Sequence, residues 1–84
     1  AGERSSRFMA LADAEVAGIV VREGSKITKA PVKDQKFFRE MTLGGLVRNG
    51  KGMLVEGSTQ ICPGDHVVVF CLTGSIHKAE KYFI

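Results

Sequence analysis

Cysteine is scarce in this chain of 84 residues, and its two copies, Cys62 and Cys71, form no CxxC pair. Small secreted scaffolds lean on several bridges, so a disulfide framework is excluded and free thiols are expected. Histidine is as scarce. Neither His66 nor His77 stands at ligand spacing from a cysteine, and with three aspartates they make no metal set. No apolar run approaches the ~20 residues that a membrane helix needs, and no signal-peptide pattern opens the chain. Charge of one sign does not dominate either. Twelve Lys and Arg stand against nine Asp and Glu, and the densest basic stretch, residues 26–36, is broken by Asp34. That pattern is a solvated, mildly basic surface rather than a nucleic-acid stripe.

What is present is the material of one small globular domain. With 44% apolar and 25% charged residues the chain can form a core, which excludes disorder. A domain this short buries roughly 60–65% of its extended surface, so its stability margin is thin and a partner chain would add to it.

The pattern reads as helix, strand, extended link, short helix, hairpin, strand, helix. In residues 1–13, Phe8, Leu11 and Ala12 fall at i, i+3, i+4, which predicts a helix. It is expected to be a connecting helix from a longer chain. Residues 15–22 hold the β-branched run Ile19-Val20-Val21 and predict a strand. Pro31 keeps residues 27–32 extended, and residues 33–40 predict a short helix anchored by Phe37. Asn49-Gly50 is the strongest hairpin signal, because both residues tolerate the positive φ of a tight turn; it joins strands over residues 42–48 and 51–56. Cys62-Pro63-Gly64-Asp65 is a turn. Residues 66–72 form a strand that is apolar on both alternations, so one face packs on the core and the other meets something else. Ser75 is an N-cap candidate, and Ile76, Ala79 and Phe83 share one face of a closing helix. The fold class is therefore α+β: a small, mostly antiparallel four-stranded sheet with a central hairpin, an N-terminal connecting helix and a C-terminal helix. Residues 1–13 are the linker and 14–84 the domain.

Candidate chemistry is thin. Asp65 and His66 are neighbours entering a strand and point to opposite faces, so they cannot act on one substrate atom. Asp65 is expected to bond the turn backbone. Cys71 alternates with Val67 and Val69 and reads as a small core residue. Gly44-Gly45 and Gly50-Lys51-Gly52 lack the spacing of a phosphate cradle that opens a helix. Gly44 and Gly45 inside a strand predict a bulge or the close approach of another backbone. Arg48, ending an apolar strand beside Asn49, is the candidate ligand contact, weighed against a snorkelling arginine. No catalytic set converges, so the domain is not expected to be an enzyme.

Three signals in order carry a resemblance: Gly44-Gly45-Leu46-Val47-Arg48-Asn49-Gly50; Glu56-Gly57-Ser58-Thr59 followed by Pro63-Gly64-Asp65; and His66-Val67-Val68-Val69-Phe70 followed by the closing helix. Over residues 15–83 the chain resembles the C-terminal domain of the TrkA family, also called the RCK C-terminal domain. The resemblance implies a regulatory module at the cytoplasmic face of the membrane, coupled to a potassium transporter through a longer protein. It implies a homodimer, with a cyclic dinucleotide or another small anionic effector at the dimer interface, near Arg48 and Asn49. It implies no cofactor here: NAD or ATP would bind an upstream Rossmann domain. Regulatory inserts of other ion or carboxylate transporters are similar and give the alternative parent. The chain departs from the family at Leu54-Val55, where many members carry a proline. A small β-rich nucleic-acid-binding domain is the alternative of another class. It requires exposed aromatics for base stacking, whereas Phe8, Phe37, Phe38, Phe70, Tyr82 and Phe83 mostly read as core. The homodimer also follows from the residues themselves: the short chain, the doubly apolar strand and the glycine pair.

Overall fold

The computed structural model describes the backbone of residues 7–11 and all of residues 13–84. Five strands make one antiparallel sheet: β1 (Arg7–Leu11), β2 (Ala14–Val20), β3 (Met41–Arg48), β4 (Lys51–Leu54) and β5 (His66–Leu72), in spatial order β1-β2-β5-β3-β4. One helix, α1 (Ile76–Glu80), follows. The four expected strands are all present, and the α+β class holds.

The expected N-terminal helix does not. Arg7–Leu11 is extended and pairs antiparallel with β2, from Arg7↔Gly18 to Leu11↔Ala14. The other part of that expectation, residues 1–6 and 12, lies outside the described residues. The physical reason is an edge. β2 gives one side to β5, and its other side carries backbone donors and acceptors that pairing with Arg7–Leu11 satisfies. Tertiary pairing overrides the weak helical spacing.

The short helix expected at residues 33–40 is also replaced. A 3-10 turn covers Val32–Asp34, and Gln35 leaves it in extended conformation. Partners outside the segment hold it in this shape. Val32 N–H donates to the Thr59 carbonyl at 3.0 Å and Lys33 N–H to the Gly57 carbonyl at 2.8 Å. The Gln35 amide then donates to the Ile27 and Ala30 carbonyls at 2.7 and 2.8 Å, tying the segment to a second 3-10 turn at Lys26–Thr28. That turn stands where an extended link was expected. Phe37 still packs on the core, in edge contact with Tyr82.

The core lies on one face of the sheet. Ala17 and Ile19 of β2, Met41 and Leu46 of β3, and Val67, Val69 and Cys71 of β5 are buried there against Ile27, Ile61, Ile76, Ala79 and Phe83. Ile76, Ala79 and Phe83 share the buried face of the closing segment as their spacing predicted. Ser75 makes no side-chain cap bond; its carbonyl accepts from Lys78 and Ala79 N–H. A five-residue helix depends on such tertiary packing rather than on propensity. Its tail is also fastened through the backbone: Arg22 N–H donates to the Phe83 carbonyl and Ile27 N–H to the Tyr82 carbonyl.

Candidate functional site: an open sheet face and the Arg48–Asp65 clip

The hairpin that carries the candidate contacts closes as its sequence requires. Asn49 and Gly50 take φ of 53° and 78°, and Arg48 pairs with Lys51. β4 ends at Leu54, short of the expected residue 56. Asn49 is exposed at the tip, where its role is to hold the left-handed turn.

Arg48 points back toward the covered layer. Its Nε donates to Asp65 Oδ1 at 2.9 Å and its Nη2 to Asp65 Oδ2 at 2.7 Å, while Nη2 also donates to the Gln60 carbonyl at 2.9 Å. Asp65 Oδ2 accepts a further bond from Cys62 N–H at 2.9 Å, so the carboxylate holds its own turn as expected. The Asp65 side chain is 2% exposed and that of Arg48 32%. The Arg48 hydrogen bonds hold the Asp65 carboxyl below its usual range, against the desolvation of burial, and the Cys62 N–H adds to them. The guanidinium is raised in turn, first by the bond to Asp65. Three of its five N–H donors are thus engaged, and the two on Nη1 have no partner among the described residues. Sequence reading missed the pairing. Its signal was Asp65 itself, because a carboxylate entering a buried strand needs a cationic partner.

The second feature is the other face of the sheet. Ala14, Val16, Gly18 and Val20 of β2 lie in rows with Leu72, Phe70, Val68 and His66 of β5. Thr42 and Val47 of β3 extend the rows, and Leu54 of β4 lies beside Gly45. Among the described residues nothing covers this surface at its centre: Phe70 is 41%, Leu72 51% and Leu54 79% exposed. Half-buried Val16, Val20 and Val68 continue this apolar surface, with exposed Thr42 and His66 among them. Within it a shallow recess of about 390 Å³ is lined by the Gly44–Val47 segment, Gly52, Met53, Leu54, Val68 and Phe70. Both alternations of β5 are apolar: one row packs on the core, and the other is left open by the described residues.

The glycine pair has a local cause. The β3–β5 register shifts between Leu43 and Gly45, which is the expected bulge. A Cβ on Gly44 would run into the Phe70 ring, and one on Gly45 would lie 3.0 Å from the Met53 carbonyl oxygen. The close approach at Gly44 is therefore made by the chain's own Phe70.

The remaining candidates sit apart. His66 is exposed on the open face while Asp65 is buried, so the two do diverge. His77 is 90% exposed and lies 3.6 Å from Glu80. Cys71 is buried in the core, and burial, then the Glu15 carboxylate, pushes its thiol pKa up. Cys62 is half-buried, its Sγ 3.6 Å from the Gln60 carbonyl. Among the described residues no group of three His, Cys, Asp or Glu could hold a metal, and no helix is long and apolar enough to cross a membrane. Phe70 is the one described Phe or Tyr ring on the open face; Phe37, Phe38, Tyr82 and Phe83 pack on the covered side.

The family model of the TrkA-C domain matches residues 16–84 of this chain. The chain belongs to the TrkA-C domain family. Among curated proteins it is 34% identical over 61 residues to the Trk system potassium uptake protein TrkA of Azorhizobium caulinodans. That match covers 73% of this chain and 13% of the relative, so this TrkA-C domain corresponds to a small part of that protein.

Proposed function

We propose that this TrkA-C domain is the regulatory dimerisation and ligand-binding module of a potassium-uptake system, acting at the cytoplasmic face of the membrane within a longer protein. The observation that carries the reading is the open apolar face centred on Phe70 and Leu72. A second copy seated on it in two-fold symmetry gives each Phe70 and Val68 a covered environment and adds buried apolar area to a small domain. The family assignment and the potassium-uptake relative set the context.

A regulatory role then needs a ligand whose affinity differs between two arrangements of the pair. A small anionic effector, a cyclic dinucleotide or a similar phosphate ester, fits at the hairpin end. There the two unpartnered Nη1 donors of Arg48 supply bidentate contacts beside Asn49. The effector would share the guanidinium with Asp65, which links it to the turn that starts β5. No reaction is assigned to the domain. The test is sedimentation equilibrium of the domain with Val68→Asp as control, paired with rubidium uptake by cells expressing the parent protein with the same substitution. The reading predicts loss of the dimer and loss of regulated uptake together. A folded Val68→Asp protein that stays dimeric removes the open face as the interface.

A further inference from the structure

The covered layer holds a second candidate site, unrelated to the open face. The backbone bond from Ile27 N–H to the Tyr82 carbonyl, 2.8 Å, brings the Lys26–Thr28 turn against the C-terminal segment. Lys26 Nζ then lies 5.4 Å from the Tyr82 ring centroid. Lys78, on α1, places its Nζ 5.4 Å from the Phe38 centroid. The two rings stack on each other with centroids 6.3 Å apart. Lys81, which ends α1, joins them. The five side chains line a recess of about 270 Å³ that contains no carboxylate.

Three ammonium groups from two distant parts of the chain thus converge on one concavity. The described ion pairs, Arg48 with Asp65 and His77 with Glu80, lie elsewhere, and none includes these lysines. An ordinary solvated face spreads its lysines and alternates them with acids; here like charges meet over an aromatic floor. The rings restrain two of the ammonium heads by cation–π contact, so less side-chain entropy is lost when an anion arrives. The apolar floor also strengthens the attraction by lowering the local dielectric. Lysine binds phosphate as a point charge, and three such charges match the charge of a di- or triphosphate.

We propose that the recess of Lys26, Phe38, Lys78, Lys81 and Tyr82 binds a free, small phosphate-bearing anion with two or three phosphoryl groups. It is a different site from Arg48. Phe38 stands three residues before Met41, the first residue of β3, and Arg48 is its last; the eight-residue strand between them spans roughly 25 Å.

The probes are inorganic pyrophosphate and tripolyphosphate, titrated into the domain by calorimetry at low and physiological salt. The expected result is saturable binding with one anion per chain, weaker at the higher salt. Affinity should fall at least tenfold in Lys78→Ala with Lys81→Ala. The exposed β4 control Lys51→Ala should bind as wild type. Mass by light scattering is read on the same samples and should not change, so this result is independent of the dimer. Loss of affinity in Lys51→Ala equal to that in the double variant would show diffuse charge attraction and overturn the site. No saturation by either anion at about 10 mM would overturn it too. Vesicles of phosphatidylglycerol give the remaining arm: binding to them without binding to either free anion assigns the lysines to a lipid headgroup and overturns the free-anion site.

Discussion

Removing Arg48 tests whether the clip to Asp65 holds the fold, and its effect can be worked from the geometry. Asp65 is 2% exposed and accepts two hydrogen bonds from the guanidinium and one from Cys62 N–H. In Arg48→Ala a buried carboxylate keeps a single donor. Breaking a buried pair by deleting one member costs about 3–5 kcal/mol. Arg48 is 32% exposed, so water can reach the vacated space and the cost falls to about 2–3 kcal/mol. For a domain of this size that lowers Tm by roughly 10–20 °C. Asp65→Ala should cost a similar amount, because it strands the Cys62 N–H. In a double-mutant cycle followed by urea denaturation the coupling should be about 1.5–3 kcal/mol. The pH dependence has a fixed sign. The folded-state pKa of Asp65 is depressed, so its contribution is complete above the unfolded value of about 3.9 and is lost as pH falls below it. The stability gap between wild type and Asp65→Ala should therefore be constant from pH 6 to 8 and shrink on acidification below about pH 4. A coupling under about 0.5 kcal/mol, or a gap that does not narrow in acid, would refute the reasoning.

Gly44→Ala should cost about 1 kcal/mol, because its Cβ must push the Phe70 ring aside; in a Phe70→Ala background thermal melts should show that cost vanish. Gly50→Ala should lose about 1–2 kcal/mol in the same melts, since Gly50 sits at φ 78° and a Cβ is strained there. Phe83→Ala empties a fully buried site under α1 and should cost about 3–5 kcal/mol. An equal stability of Phe83→Ala and wild type in urea would mean that the closing segment does not seal the core. For the effector, calorimetry with cyclic dinucleotides should show at least tenfold weaker binding in Arg48→Lys, which keeps a charge but loses the fork; equal affinity would remove Arg48 from the site.

The strands with strong local signals were legible because burial and turn chemistry agree there. Residues 66–72 alternate between a buried row and an open one, and Asn49-Gly50 fixes the hairpin register. Residues 7–11 were not, because their helical spacing is weak and the decisive partner, the free edge of β2, is set by topology. Residues 33–40 differ for a related reason: Gln35 is extended and its side-chain amide bonds the Ile27 and Ala30 carbonyls, partners outside the segment. At the candidate site, Arg48 and Asp65 were each singled out, but their contact spans 17 residues and no local pattern encodes it. The lysine recess escaped notice for the same reason. Lys26 and Lys78 meet only because a backbone bond docks the C-terminal segment on the first 3-10 turn.

The central claim is that the open sheet face is where two copies of this domain meet. Its most direct measurement is mass by multi-angle light scattering across a concentration series, for wild type and for Val68→Asp, with circular dichroism confirming that both are folded. The account predicts twice the 9.1 kDa chain mass for wild type at micromolar concentration and a 9.1 kDa monomer for Val68→Asp. A wild-type protein that remains a 9.1 kDa monomer at high micromolar concentration would contradict it.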